Sequence, residues 1–295
     1  MRLGVFVSNE GDHAARLGLA EMAVAAEEAA VDGLWVSDHL VMLDEPTSEY
    51  PFSRDGSPPW EPTDDYYEAL TCCACIAAVT QRCRVGTAIL VLPQRNVLEV
   101  AKMAATLDRL SSGRFVLGVG VGWYSAEMEA LGYDFGSRGR RMDEMLDVLR
   151  DCWDGRPGSY DGSQIKIPDG VVLEPRPAQR PGVPLLVGGM SAVARRRAAR
   201  RGDGWLAIAG ADDWEPQSLA AGIADVHARR EQNDVPFETV LQLNADPTDA
   251  ARILELVREA AELGVDEVIV EPPWAKGVAE ARAMIEEVRA ATLAL

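Results

Sequence analysis

The stretch AATLDRLSSGRFVLGVGVGW, residues Ala104–Trp123, carries the reading that decides the fold. It closes a helical run over Leu98–Leu110, stops it with Ser111-Ser112-Gly113, and enters an apolar strand over Arg114–Val121. The same order recurs along the rest of the chain. Short strand-like runs fall at Arg2–Val7, Gly33–Ser37, Arg84–Leu90, Arg114–Val121, Pro184–Gly188, Gly204–Ile208, Thr239–Asn244 and Glu267–Glu271. Helical runs fall at His13–Ala30, Tyr66–Val79, Leu98–Leu110, Arg138–Trp153, Ala192–Arg201, Glu215–Gln232, Thr248–Leu263 and Val278–Ala291. Such alternation implies a parallel sheet with right-handed crossovers. Eight units in 295 residues predict an α/β fold, a closed (β/α)8 TIM-type barrel occupying 1–295 as one domain. An open doubly wound sheet would place a Gly-rich turn after its first strand, and the turn here is SNEGDH.

Punctuation supports these elements. Gly33 follows the first helix in a stop position, and Asp246-Pro247-Thr248-Asp249 pairs a cap residue with a proline at the start of the seventh. Two segments interrupt the rhythm as insertions. One, near 44–65, is polar and Pro-rich with Trp60 and Tyr66 nearby. The other, near 156–182, carries a hairpin-like pair, Gln164–Ile167 and Gly170–Leu173. Loops of this length in a compact domain are usually functional or act as lids. The first follows a strand and so lies on the active face of a barrel; the second follows a helix and is long enough to fold back along the outside.

Charge and composition narrow the function. A formal net charge of -18 repels phosphate backbones and anionic lipid, which predicts no nucleic-acid and no membrane partner. A hydrophobic fraction of 47% suffices for a large core. The N-terminus reads directly as a strand with no leader pattern, which predicts a cytoplasmic protein. Five cysteines, three of them clustered as Cys72, Cys73 and Cys75 inside a helical run, read as buried helix residues, and no metal site is predicted. Phosphate-binding GxxxxGK, nucleophile-elbow GxSxG and zinc-binding HExxH patterns do not occur.

The residues that could carry chemistry lie at predicted strand ends. Of three histidines, only His39, in Ser37-Asp38-His39-Leu40, ends a strand at the catalytic face, where it could exchange a proton near neutral pH; the plain alternative is that Asp38 and His39 only finish a strand. Gly86–Pro93, with Ala88 and Ile89 at its centre, could wall a flat ring or simply fill the core. Gly118, Gly120 and Gly122, spaced by two around Val119 and Val121, should share one strand face and admit a ligand or a close neighbour. Gly188-Gly189-Met190-Ser191 opens a helix, with Ser191 as its cap and the glycines suited to an anion. The basic run Arg195-Arg196-Arg197 reads as a solvated face.

Taken together, Ala104–Trp123, Ser37–Leu40, Pro184–Ser191, Arg138–Trp153 and Arg200–Trp205 resemble the luciferase-like monooxygenases, over roughly residues 1–210. The resemblance implies a barrel, usually a homodimer, with the deazaflavin coenzyme F420 or FMN at its mouth and a small-molecule substrate. Leu117-Gly118-Val119-Gly120 is similar to the F420-using branch. That branch carries a non-proline cis peptide in the third strand, here Ala88-Ile89. The resemblance also implies His39 near the ring as the catalytic group, with Asp38, Gly120, Val121, Gly122, Gly188, Gly189, Met190 and Ser191 around the cofactor. Trp123 stands where the F420-dependent glucose-6-phosphate dehydrogenases have a catalytic Glu, so an apolar or aromatic substrate, met by Trp123 and Trp60, is the expectation. The function implied is hydride transfer between F420 and a small organic substrate. The alternatives are an FMN-dependent monooxygenase served by a flavin reductase, and a non-catalytic flavin-binding protein.

Overall fold

The computed structural model describes residues 1–44, 48–51, 56–231 and 235–293. Its strands are β1 (Arg2–Phe6), β2 (Gly33–Val36), β3 (Arg84–Thr87), β4 (Leu90–Val91), β5 (Phe115–Gly120), β6 (Tyr160–Asp161), β7 (Lys166–Ile167), β8 (Leu185–Gly188), β9 (Gly204–Gly210), β10 (Glu238–Asn244) and β11 (Glu267–Val270). The helices are α1 (Gly11–Leu17), α2 (Leu19–Glu28), α3 (Ala69–Val79), α4 (Val97–Leu110), α5 (Ser125–Ala130), α6 (Arg138–Trp153), α7 (Ala192–Arg201), α8 (Pro216–Ala228), α9 (Ala250–Glu262) and α10 (Val278–Leu293). All strands except the β6–β7 hairpin form one parallel sheet in the order β3-β2-β1-β11-β10-β9-β8-β5-β4, and β3 also pairs with β5. β3 and β4 are two halves of one interrupted strand, so the sheet closes as an eight-stranded (β/α)8 barrel.

The strands are buried on both faces, which is why they read as near-continuous apolar runs. Trp35, Ala88, Val116, Leu186, Leu206, Val240 and Ile269 fill the lumen, while a larger core lies between sheet and helices. α4 shows the logic of that outer layer. Val97, Val100, Ala101, Ala104, Ala105, Leu107 and Asp108 recur at helical spacing on its buried side, and the Asn96 side chain caps Leu98 N at 2.9 Å. Ser112 (φ 58°) and Gly113 (φ 82°) then reverse the chain into β5, as Ser111-Ser112-Gly113 predicts.

The barrel floor is polar. The buried Glu267 carboxylate accepts from Trp35 Nε1 at 2.8 Å, Arg84 Nη1 at 2.9 Å and Arg2 Nε at 3.0 Å, and Glu238 completes the cluster with Arg84 Nη2 at 2.7 Å. Gly33 belongs to this floor rather than to a helix stop. A Cβ there would collide with Glu267 and lie 2.6 Å from Trp35 Nε1, and the left-handed residue after α2 is Ala30 (φ 62°).

Several local expectations change. The first helix is two, because Gly18 at φ 84° separates α1 from α2. The second begins at Ala69, where the Glu68 side chain accepts Thr71 N. α9 is capped by Asp249, which accepts Arg252 N at 3.0 Å, while Asp246 closes the preceding turn on Thr248. Gln232, the expected end of the sixth helix, lies outside the described residues; α8 ends at Ala228. The hairpin in 156–182 pairs Tyr160–Asp161 with Lys166–Ile167, not 164–167 with 170–173. That segment does return along the outside, where Arg109 Nε donates to Arg176 O at 2.8 Å and Gln179 N to Asp108 Oδ2 at 2.9 Å. Arg197 is buried and paired with Asp143 at 2.7 Å, so the basic run is not wholly a solvated face. Cys72 and Cys73 are buried, but Cys75 is exposed. Among the described residues no cluster could hold a metal ion, and no helix is long and apolar enough to cross a membrane.

Candidate active site

The C-terminal ends of the strands converge on a mouth centred on His39, which is 7% exposed. Its Nδ1 lies 2.8 Å from Glu127 Oε2 on α5. The other oxygen, Glu127 Oε1, accepts Leu40 N at 2.5 Å, Val41 N at 3.2 Å and Gln94 Nε2 at 3.2 Å. A carboxylate that already accepts two backbone N–H groups accepts from the ring as well, so Nδ1 is the donor and Nε2 is the ring nitrogen turned away from Glu127. Among the described residues Nε2 has no hydrogen-bond partner.

Aromatic rings wall the imidazole. Trp60, Tyr66, Trp123 and Tyr124 lie at centroid distances of 5.4, 5.5, 5.7 and 6.4 Å from it. Tyr50 touches both Trp60 and Trp123 edge-on at 5.3 Å. The segment near 44–65 therefore supplies two walls, Tyr50 and Trp60, and residues 45–47 and 52–55 of it lie outside the described residues. A cavity of about 230 Å³ opens beside Trp60, Trp123, Tyr124 and Met42.

Acidic groups line the side of the mouth formed by β1 and β11. Ser37 Oγ lies 2.6 Å from Glu10 Oε2 and accepts from Tyr66 Oη at 2.6 Å. Asn9 holds this corner together: its Oδ1 accepts Ser37 N at 3.0 Å, and its Nδ2 donates to Ser37 O at 3.0 Å and Tyr67 O at 2.7 Å. Desolvation by the surrounding protein pushes the Glu10 carboxyl above its usual range, against the pull of the Ser37 hydrogen bond and of His39. Glu271, directly after β11, is reached by water but enclosed by the walls of the mouth. Desolvation, and then the Glu10 charge, raise its carboxyl to about 7. Burial and the Glu10 charge likewise raise the Tyr66 phenol.

Of the cofactor residues expected from sequence, Ile89, Gly120 and Gly188 pack against one another where β4, β5 and β8 end. The Ala88-Ile89 peptide is cis and separates β3 from β4. Ile89 fills the space left by two glycines, since a Cβ on Gly120 would lie 2.6 Å from Ile89 Cδ1 and one on Gly188 2.9 Å from Ile89 Cγ2. Gly118 faces protein, not a ligand: its neighbour is the Thr87 carbonyl, and Thr87 Oγ1 donates to Gly118 O at 2.7 Å. Gly122, at φ 77°, lies beyond the strand, so the three glycines do not share one face. Val121 packs against the outer core. Asp38 needs a correction too. Its side chain is fully buried, with Oδ2 accepting Val91 N at 2.8 Å and Oδ1 paired to Arg95 at 2.6 Å, so it positions β4 and has no oxygen turned to a ligand.

The glycine pair is less available to an anion than its spacing implies. Gly189 N donates to Leu206 O at 3.2 Å and its carbonyl accepts Trp205 Nε1 at 2.9 Å. Ser191 caps Ala194 N at 3.1 Å, and Met190 Sδ receives Ile208 N at 3.5 Å. Donors left for an anion include the first-turn amides of α7, at Ala192 and Val193. Sequence reasoning missed Arg138, at the start of α6. Its guanidinium stacks on Phe135 at 3.6 Å and pairs with no carboxylate among the described residues, and its Nε is buried without an acceptor. An unneutralised, partly desolvated cation on a protein of net charge -18 fits a group with a phosphate tail.

Residues 1–245 match the model of the luciferase-like monooxygenase family. The chain belongs to that family. It is an oxidoreductase of the luciferase-like class. An uncharacterized protein of Mycobacterium tuberculosis is 34% identical over 252 residues, covering 84% of this chain and 83% of the relative. The F420-dependent glucose-6-phosphate dehydrogenase of Amycolatopsis mediterranei is 31% identical over 197 residues, covering 65% of this chain and 53% of that protein. Among solved structures, an F420-dependent secondary alcohol dehydrogenase with an F420–acetone adduct superposes with a TM-score of 0.77 at 18% identity, covering 98% of this chain and 99% of its own. A type II Baeyer–Villiger monooxygenase from Pseudomonas putida in complex with FMN has a TM-score of 0.70 at 15% identity, covering 98% and 96%. At these identities the structural likeness speaks for the fold.

Proposed function

We propose that the protein is an F420-dependent oxidoreductase acting on a small organic substrate at the barrel mouth. The observation that carries this reading is His39. Its ring is fixed by Glu127 through Nδ1, so that Nε2, without a hydrogen-bond partner among the described residues, is presented among aromatic rings. F420, when bound, supplies a deazaflavin C5 that accepts or releases a hydride. The chain's own part is placement and proton handling. Ile89, seated between Gly120 and Gly188, would support the ring. Arg138 and the amides of Ala192 and Val193 would hold the phosphate. His39 Nε2 would take the substrate's hydroxyl or amine proton as its C–H bond is lost, or return it in the reverse direction, with Glu127 stabilising the imidazolium. Trp60, Trp123 and Tyr50 would exclude water and pack the substrate's apolar part.

The relative of Amycolatopsis mediterranei, F420-dependent by name, favours F420 over FMN. Titrating the apo-protein separately with F420 and FMN, followed by fluorescence, tests the choice. Tighter F420 binding supports the reading. Preference for FMN points to an oxygen-using enzyme with a reductase partner, and binding of neither sinks both.

A further inference from the structure

Ser37 Oγ has three oxygen neighbours and one hydrogen to offer them. Tyr66 Oη stands at 2.6 Å, Glu10 Oε2 at 2.6 Å and Asn9 Oδ1 at 3.0 Å. Asn9 Oδ1 only accepts, because the Asn9 amide is oriented by its Nδ2, which donates to the Ser37 and Tyr67 carbonyls. An ionised Glu10 only accepts as well, so one Ser37 hydrogen would leave one of these two oxygens facing a lone pair. A protonated Glu10 removes the conflict. Glu10 then donates to Ser37, Ser37 to Asn9 and Tyr66 to Ser37, and every contact carries one hydrogen. Desolvation, which raises the Glu10 carboxyl against the pull of Ser37 and His39, agrees with that count. Glu271 after β11, the Tyr50 and Tyr66 phenols and the Cys72 thiol are the other titratable groups that feel a charge on Glu10. The Tyr66 ring, at the far end of the chain of oxygens, stands edge-on to the His39 imidazole at 5.5 Å.

We infer that Glu10 stands as a neutral acid whose proton reaches the mouth through Ser37 and Tyr66, which makes Tyr66 the proton donor that complements His39. The mouth then holds a base and an acid on separate groups. The inference rests on the hydride-transfer reading of this site. Oxidising a substrate there breaks a C–H bond, whose hydrogen leaves with both electrons to a deazaflavin acceptor. It also breaks an O–H or N–H bond, whose proton goes to His39 Nε2. One further proton neutralises the electron pair so delivered. Tyr66 gives that proton, Ser37 replaces it on Tyr66, and Glu10 replaces it on Ser37. For this the Tyr66 hydroxyl turns toward the mouth and the Ser37 hydroxyl turns from Asn9 to Tyr66, while Asn9 Oδ1 keeps Ser37 N at 3.0 Å. The step ends with an imidazolium and a Glu10 carboxylate, opposite charges that favour each other. Glu10 is only half-buried, so water can return its proton.

The resting proton is tested on the full-length protein without cofactor. Infrared spectra at about pH 6 should show a carboxylic-acid carbonyl band that Glu10→Gln removes and Glu271→Gln leaves in place. A parent without that band, or a band that survives Glu10→Gln, overturns the assignment. The relay is tested by single-turnover reduction of F420 with 2-propanol, cyclohexanol and 1-phenylethanol. Tyr66→Phe and Glu10→Gln should each slow the step by about 10²-fold, with F420 affinity within about twofold, and the double variant should be no slower than either. The parent rate should rise and then fall with pH, and Glu10→Gln should lose the falling limb, which a merely structural role would not erase. Unchanged rates, additive losses or a limb that persists overturns the relay. If F420 binds but no alcohol reduces it, the relay falls while the cofactor assignment stands. If F420 does not bind, that assignment falls too, and the infrared band still reports the Glu10 proton.

Discussion

The His39 imidazole and the Glu127 carboxylate meet at 2.8 Å across 88 residues of sequence. Because Glu127 also receives Leu40 N and Val41 N, it fixes the tautomer of the ring and the path of the chain leaving β2 in one contact. Glu127→Gln keeps the shape but reverses that control. The amide oxygen stays with the backbone donors, its NH2 faces Nδ1, and the ring proton moves to Nε2. The expected outcome is a loss in kcat of roughly 10²-fold or more, as for His39→Ala, with F420 affinity changed by only a few-fold. Stopped-flow reduction of F420 alongside equilibrium binding checks this, and an unchanged kcat would remove His39 from proton transfer.

The barrel was legible because it is written in alternation, and alternation survives errors at element ends. His39, Ile89, Gly120 and Gly188 were found because each sits at a strand end with an unusual residue type. Glu127, Glu10, Glu271 and Arg138 were missed for a physical reason. Acidic and basic residues are common on solvated helices, and only closure of the barrel shows which of them are desolvated. Glu10 was visible inside SNEGDH, directly after the first strand, a position that in a barrel always faces the mouth. The glycines mislead in the other direction. Gly118 and Gly33 look like ligand or turn positions, yet each makes room for protein atoms, the Thr87 carbonyl and the Glu267–Trp35 pair.

The floor cluster predicts a stability effect without a catalytic one. Glu267→Ala leaves the buried Trp35 indole N–H without an acceptor and Arg84 with Glu238 alone, and should cost about 1–3 kcal/mol. Urea unfolding would show the midpoint falling with little change in m. Glu267→Gln, which keeps an acceptor for Trp35, should cost clearly less. If Glu267→Ala unfolds at the parent midpoint, the cluster contributes nothing.

Glu271 makes stability pH-dependent in a defined sense. Its carboxyl stands at about 7 when folded against an ordinary value of 4.5. Between those values the folded state keeps a proton that the unfolded chain releases, so stability falls as pH rises through this window and levels off above it. Glu271→Gln removes the dependence. Its Tm should exceed the parent's at pH 8 and approach it at pH 4.5, as scanning calorimetry at both would show. A larger gain at the lower pH contradicts the assignment.

Under the proposed function, Arg138 is where recognition of a phosphate tail can be tested apart from recognition of the ring. Among the described residues its guanidinium has no carboxylate partner and donates only to Phe135 O at 2.9 Å, so Arg138→Ala removes a charge and one hydrogen bond without breaking an ion pair among them. Charged hydrogen bonds contribute roughly 1.5–3 kcal/mol each, so affinity for F420 should drop by about 10- to 150-fold. FMN, which also carries a phosphate, should lose comparably from whatever affinity it has, whereas riboflavin, which has none, should bind the variant and the parent alike. Arg138→Lys keeps the charge but not the planar fork, and should recover part of the loss. Equal losses for riboflavin and FMN would mean that Arg138 supports the wall around Phe135 rather than the phosphate, and would move the anion site to the α7 amides alone.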